Sequence, residues 1–229
     1  MILDDEDILI QTAIDSACYK MVDLGLSVKW ANKNVGASYP EDPGLYFQWG
    51  DAIGYTADQV GKDKAFNREN YKFGTYSNLT KYNSTDGLTV LESIDDAATA
   101  YMGPSYRMPT IVEVEELIEN TIRTFIDIDG NEYIKGFNTI NIQSGKLKGV
   151  RFTGFNGNSI FIPAAGYCDE SRLYEIVNYG ELWSSSLDSC YNDSAKGLGF
   201  YYGGVADSSY NGRFYGLSVR GVQDNLNKS

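Results

Sequence analysis

Ser159-Ile-Phe-Ile-Pro-Ala-Ala-Gly-Tyr167, followed after a polar loop by Leu182-Trp-Ser-Ser-Ser186, is the stretch whose reading decides the fold. Its opening run is apolar, rich in β-formers and stopped by Pro163, as a short strand should be. Ala164, Ala165 and Gly166 then let the backbone turn closely against a neighbour. Trp183, flanked by Leu182 and serines, reads as a large anchor on a second strand. The intervening Tyr167–Gly180 carries Tyr174, Asn178 and Tyr179, which are not core residues. A rigid sheet bearing an adaptable loop is the arrangement expected, and the rest of the chain repeats it.

Working outward, Val150–Thr153, Ile160–Ile162, Leu182–Ser185, Leu198–Tyr202 and Phe214–Val222 read as short strands with polar, Gly-rich connections, which fits antiparallel pairing. Upstream, Met21–Trp30 reads as a strand, Leu45–Gly50 as another, and Phe66–Tyr82 as a long excursion pinned by Tyr71, Phe73 and Tyr76. Gly25–Lys29 is echoed by Gly216–Arg220, and the two segments are expected to pair. One helix is expected after Ser93, carrying Ile94, Ala97, Ala98 and Tyr101 and stopped by Gly103-Pro104. A second starts at the capping box Thr110…Glu113, with Val114, Leu117, Ile118 and Ile122 as its stripe. Phe125–Phe137 reads as a hairpin turning at Asp129-Gly130. A calcium loop through Asp127, Asp129, Asn131 and Glu132 fails because the glycine has the wrong offset. The whole is an α+β domain over residues 21–222, with two helices and its first and last strands paired. Residues 1–20 form an acidic helical or attachment segment, read either as a packed helix or as an oligomerisation joint, and 223–229 form a tail.

Composition limits the function. The chain has 229 residues, 18 of them Tyr and 24 Gly, with a formal net charge of −12. That charge disfavours nucleic acid and anionic lipid, both of which call for clustered Lys and Arg. No segment approaches the ~20 apolar residues of a membrane span, so no insertion is expected, and no secretory signal is visible. Histidine is absent, which removes His-based nucleophile schemes and His-ligated zinc. Cys18, Cys168 and Cys190 lack metal-ligand spacing; an odd count suits free thiols, with a Cys168–Cys190 bridge as the alternative. No metal and no cofactor are expected.

Several blocks occur in one order: Val22-Asp-Leu-Gly-Leu-Ser-Val-Lys-Trp30, Val35-Gly-Ala37, Gly44-Leu-Tyr-Phe-Gln-Trp-Gly50, Asp95-Asp-Ala-Ala98, Tyr106-Arg-Met-Pro-Thr110, Ile160-Phe-Ile-Pro-Ala-Ala-Gly166, Leu182–Ser186 and Ser218-Val-Arg220. The set resembles the Fibrobacter succinogenes major paralogous domain family, over about Val22 to Val222. The resemblance implies a C-type-lectin-like fold related to the formylglycine-generating-enzyme branch. Some proteins of that fold are variable proteins of diversity-generating retroelements, including phage receptor-binding proteins, whose Tyr-, Ser- and Asn-rich C-terminal surface is the diversified ligand site. Gly221 departs from the family's usual closing Pro. The calcium-dependent lectin signatures are missing, so calcium-mediated sugar binding is not implied.

The C-terminal part has the composition of a paratope. Tyr offers wide amphipathic contact at low rotamer cost, and Ser, Gly and Asn add adaptable hydrogen bonds. Tyr174, Asn178, Tyr179, Tyr191, Asn192, Tyr201, Tyr210, Asn211 and Arg213 are the candidate ligand contacts, with Tyr167 and Tyr202 read as core. The expected function is non-catalytic binding, outside the cell on a virion or envelope, of a protein or carbohydrate on a target surface. Two rivals stand beside it. One is an enzyme using Cys168 and Cys190 or a carboxylate pair drawn from Glu170, Glu175 and Glu181. The other is a fibre subunit that binds copies of itself through residues 1–20.

Overall fold

A computed structural model describes residues 19–75, 77–134, 142, 145–201 and 205–225. The expectations for the acidic segment up to residue 18, for Tyr76 and for Tyr202 fall outside them. The described residues open with β1 (Met21–Val22) and β2 (Val28–Ala31), then β3 (Tyr46–Phe47), β4 (Gly74–Thr75) and β5 (Asn78–Leu79). A 3-10 turn at Ser93–Asp95 leads to helix α1 (Ala97–Met102), and helix α2 (Ile111–Glu119) follows. Next come β6 (Thr121–Asp127), β7 (Glu132–Ile134), β8 (Leu147–Gly154) and β9 (Ser159–Pro163). The C-terminal part holds β10 (Tyr167–Asp169), β11 (Arg172–Tyr174), β12 (Tyr179–Leu187), β13 (Ser194–Tyr201), β14 (Val205–Gly212), β15 (Leu217–Ser218) and β16 (Val222–Asp224).

The α+β class holds, with mostly antiparallel sheets. The largest sheet has the order β14-β13-β12-β15-β3, and a second has the order β7-β6-β8-β9. Side chains alternate along β12 and β13, so the large sheet feeds two cores. Leu182, Leu198 and Phe200 pack with Val114, Leu117, Phe125, Val150 and Phe152 on one side. Trp183 and Ala195 pack with Phe47, Trp49, Tyr82 and Leu217 on the other. Two tryptophans lock this second core reciprocally. Trp183 Nε1 donates to the Phe47 carbonyl at 2.8 Å, and Trp49 Nε1 donates to that of Ser184 at 2.8 Å.

Local signals behaved as their chemistry requires. Thr110 caps α2, and the Glu113 side chain returns the bond to the Thr110 N–H at 2.7 Å. Asp127 organises the β6–β7 turn by accepting from the Asn131 N–H at 2.8 Å, the Asn131 amide at 2.9 Å and the Tyr133 hydroxyl at 3.1 Å. Its oxygens therefore serve the turn.

Several expectations need correction. Ser93 does not cap the first helix; Asp96 does, accepting from the Thr99 N–H at 2.9 Å. Ile122 lies outside α2, in β6, and is exposed. Met21–Trp30 is a hairpin and not one strand, because Gly25 turns the chain at φ 82°. The terminal strands do pair, but the partner of β2 is β16, with Val222 opposite Trp30. Gly216–Arg220 instead supplies β15, which runs parallel to β12 and antiparallel to β3. The reason is Arg220. Its buried guanidinium donates to Asn34 Oδ1 and to the carbonyls of Ala31 and Phe161 at 2.8–2.9 Å, so this residue is a bolt between layers. Burial pulls its pKa down to about 9.

Candidate ligand-binding face

The site is built from three neighbouring strands. Along β12, Tyr179, Glu181 and Trp183 share one face; along β13, Gly197, Gly199 and Tyr201 face the same way. Register puts Tyr179 opposite Tyr201, and Glu181 opposite Gly199, which in turn faces Asp207 of β14. The Tyr179 and Tyr201 rings stack, with centroids 5.5 Å apart and planes at 21°. Glycine at 199 leaves the middle strand without a side chain between Glu181 and Asp207. A Cβ there would meet Ser209 Oγ at 3.1 Å and Glu181 Oε1 at 4.0 Å.

The β10–β11 hairpin extends this face. Gly166, at φ 64°, makes the turn possible, since a Cβ would fall on the Tyr174 carbonyl oxygen. Its N–H donates to the Tyr179 carbonyl at 2.8 Å and so ties the hairpin to β12. Tyr174 stacks on Tyr167 (5.6 Å, 21°), and Tyr167 meets Tyr215 at 5.9 Å. Tyr215 meets Phe214 at 4.5 Å, and the Arg68 guanidinium lies 4.8 Å over the Phe214 ring. These half-exposed rings form a continuous chain. Beside its far end lies a cleft of about 290 Å³ bordered by Arg68, Asp169, Glu170 and Phe214.

Glu181 is the unusual member. Burial raises its carboxyl to about 7, only partly offset by the Asn211 amide, which donates to Oε1 at 3.3 Å. Oε2 and the nearby Ser209 Oγ are both buried without a hydrogen-bond partner. Buried polar atoms are rarely left so, because each orphan costs about 1–3 kcal/mol. Tyr167 and Tyr215 are pushed up first by burial; the negative charge of Glu181 adds to the rise in both. The carboxyl of Asp169 is raised by burial and then by Glu170.

The structure separates the sequence-derived contacts into groups. Tyr174, Tyr179, Tyr201 and Asn211 belong to this face. Asn178 sits at its rim, half-buried, donating to Glu175 at 3.1 Å. Tyr210 pairs with Lys196, five residues along β13 from Tyr201, so strand parity places it on the opposite side of the sheet. There it stacks on exposed Tyr191 (5.6 Å, 24°), with the Lys196 ammonium 5.6 Å from its ring. Asn192 is exposed, and its carbonyl accepts from Arg213.

Arg213 is not a surface contact, and this corrects the expectation. It is 1% exposed. Its guanidinium donates to Tyr71 Oη at 2.9 Å and to the carbonyls of Lys81, Tyr82 and Asn192 at 3.0 Å, and lies 4.8 Å from the Trp49 ring. It clamps two loops onto the sheet. Cys168 and Cys190 are not bridged to each other, Cys168 being buried and Cys190 exposed, and burial pushes the Cys168 thiol well up, away from thiolate chemistry. Tyr167, expected in the core, is half-exposed and belongs to the aromatic chain.

Sequence reasoning missed Tyr215, Ser209 and the special state of Glu181. A usable signal existed: Tyr179-x-Glu181-x-Trp183 against Gly197-x-Gly199-x-Tyr201 is an alternating pair that sets the acid over a glycine. A larger cleft of about 530 Å³ lies between α1, the start of α2 and β16. Its charged groups are engaged internally, with Arg107 bound to Glu113 at 2.6 Å and Asp224 at 2.7 Å, and Asp96 capping α1. Comparison with family models, characterised proteins and solved structures returns no match.

Proposed function

We propose that this chain is a non-catalytic binding module on a C-type-lectin-like scaffold. Its β12–β14 face, with the β10–β11 hairpin, grips a macromolecule on a target cell surface, as a receptor-binding protein of a virion or envelope does. The observation that carries this reading is the run of stacked, half-exposed tyrosines beside two unpartnered buried polar groups. Rings held in pairs lose little further entropy on binding, which is what a preorganised contact surface needs. The sequence resemblance to the Fibrobacter major paralogous domains supports the same reading, including a diversified C-terminal surface.

The test compares two alanine sets on arrays of cell-surface proteins and glycans. Tyr174→Ala, Tyr179→Ala and Tyr201→Ala together should abolish binding with little change in melting temperature. Tyr191→Ala with Tyr210→Ala, on the other side of the sheet, should leave binding intact. The reverse pattern would move the site, and retained binding in both would end the assignment.

One observation favours a second reading, a self-assembling fibre subunit. β14 runs for eight residues as the edge of its sheet, and no strand among the described residues pairs with its outer side. Such an edge can recruit another chain. Light scattering over a concentration series separates a monomeric binder from a growing assembly.

A further inference from the structure

The orphaned pair on the binding face says what kind of group is missing from it. In its ionised form, which a bound cation would favour, the Glu181 carboxyl only accepts hydrogen bonds, and Ser209 Oγ can accept one as well. Ser209 Oγ and the Oε1 side of the Glu181 carboxyl lie 3.1 and 4.0 Å from the point a Cβ of Gly199 would occupy, so the two orphaned groups are neighbours over that glycine and one donor-rich group there could serve both. Oε2 has no exposed surface in the free chain, so the incoming group has to open its cover to reach it.

Two further features choose among donors. The surroundings are aromatic, with the Tyr179–Tyr201 stack on the same face and Tyr167 and Tyr215 in the adjoining chain of rings, and aromatic rings attract cations through their quadrupoles. The surroundings are also acidic. Asp207 stands across Gly199 from Glu181; Glu69, Asp169 and Glu170 outnumber Arg68 around the adjoining cleft; and the chain carries −12 overall. Neutral hydroxyls would satisfy the orphans but gain nothing from this field, whereas an anion would be repelled.

We infer that Glu181 is the anchor for a lysine ammonium or an arginine guanidinium, and that the face therefore recognises a basic segment of a target protein. This rests on the binding-module reading above. It narrows the ligand from protein or glycan to a cationic stretch of polypeptide.

The probes are the peptides Gly-Arg-Gly and Gly-Lys-Gly, with the neutral citrulline peptide as an isosteric control, followed through the backbone amide shifts of Gly197 and Gly199. The cationic peptides should bind at least about tenfold more tightly than citrulline, and more tightly at low salt. Glu181→Gln should remove that preference. Ser209→Ala should weaken binding a fewfold and serves as the second variant should the first disturb folding. The wild-type comparison of arginine with citrulline needs no variant at all. Equal binding of citrulline, or a glutamine variant that still prefers cations, overturns the inference. A glycan that shifts the same amides regardless of Glu181 overturns it too, yet leaves the face as a binding surface. Failure of that surface itself would show separately, as target binding that survives loss of Tyr174, Tyr179 and Tyr201.

Discussion

Replacing Glu181 by glutamine should change how the domain's stability depends on pH, and the size follows from burial of one carboxyl. In the folded chain that carboxyl titrates at about 7, against an ordinary value of 4.5. The folded state therefore holds this proton more tightly than the unfolded state does. The stabilisation tied to that proton is complete below the unfolded pKa and is lost as pH rises through the folded one. At 1.36 kcal/mol per pKa unit, the wild type should lose about 3 kcal/mol relative to the glutamine variant between about pH 4 and pH 8. The phenols of Tyr167 and Tyr215, both shifted upward, stay neutral over this window, and Asn211 does not titrate. The raised carboxyls of Asp96 and Asp169 are common to both proteins and cancel. Urea unfolding of each protein across this range gives the difference curve directly. Parallel curves would refute a buried, half-titrated Glu181, and a variant that loses stability faster than wild type as pH rises would reverse the sign of the argument.

Arg213→Met should keep the packing against Trp49 but leave Tyr71 Oη and the carbonyls of Lys81, Tyr82 and Asn192 without their donor. The expected loss is more than about 4 kcal/mol by chemical denaturation, far above the cost of a surface contact. Gly166→Ala should cost about 2 kcal/mol or more, since both its left-handed φ and the Tyr174 carbonyl oppose a Cβ. The same change should spread the Tyr167–Tyr174 stack, visible in the NMR ring shifts of the two tyrosines.

What was legible in the sequence is what neighbouring residues decide among themselves. The Thr110–Glu113 capping box, the Asp129-Gly130 turn, the stop at Pro163 and the tight turn at Gly166 are closed by atoms a few residues apart. Their energetics need no distant partner. The enrichment of Tyr, Asn and Ser after Gly166 is likewise a property of the chain, and four of the candidate contacts do share one face.

The tertiary structure decided everything that depends on which strands meet and in what register. A shift of one residue exchanges the two faces of a strand, and sequence alone does not fix which face another layer will cover. Hence Tyr201 and Tyr210, alike in composition and context, point to opposite sides of one sheet, and Arg213 is drawn into an aromatic cage assembled from loops more than a hundred residues upstream. Gly216–Arg220, so like Gly25–Lys29, pairs elsewhere because Arg220 finds its acceptors between layers. Glu181 is an unremarkable loop-edge acid in the sequence. Only long-range pairing with Gly199, and the cover that this brings, withdraws its carboxyl from water and gives it a proton to hold near neutral pH.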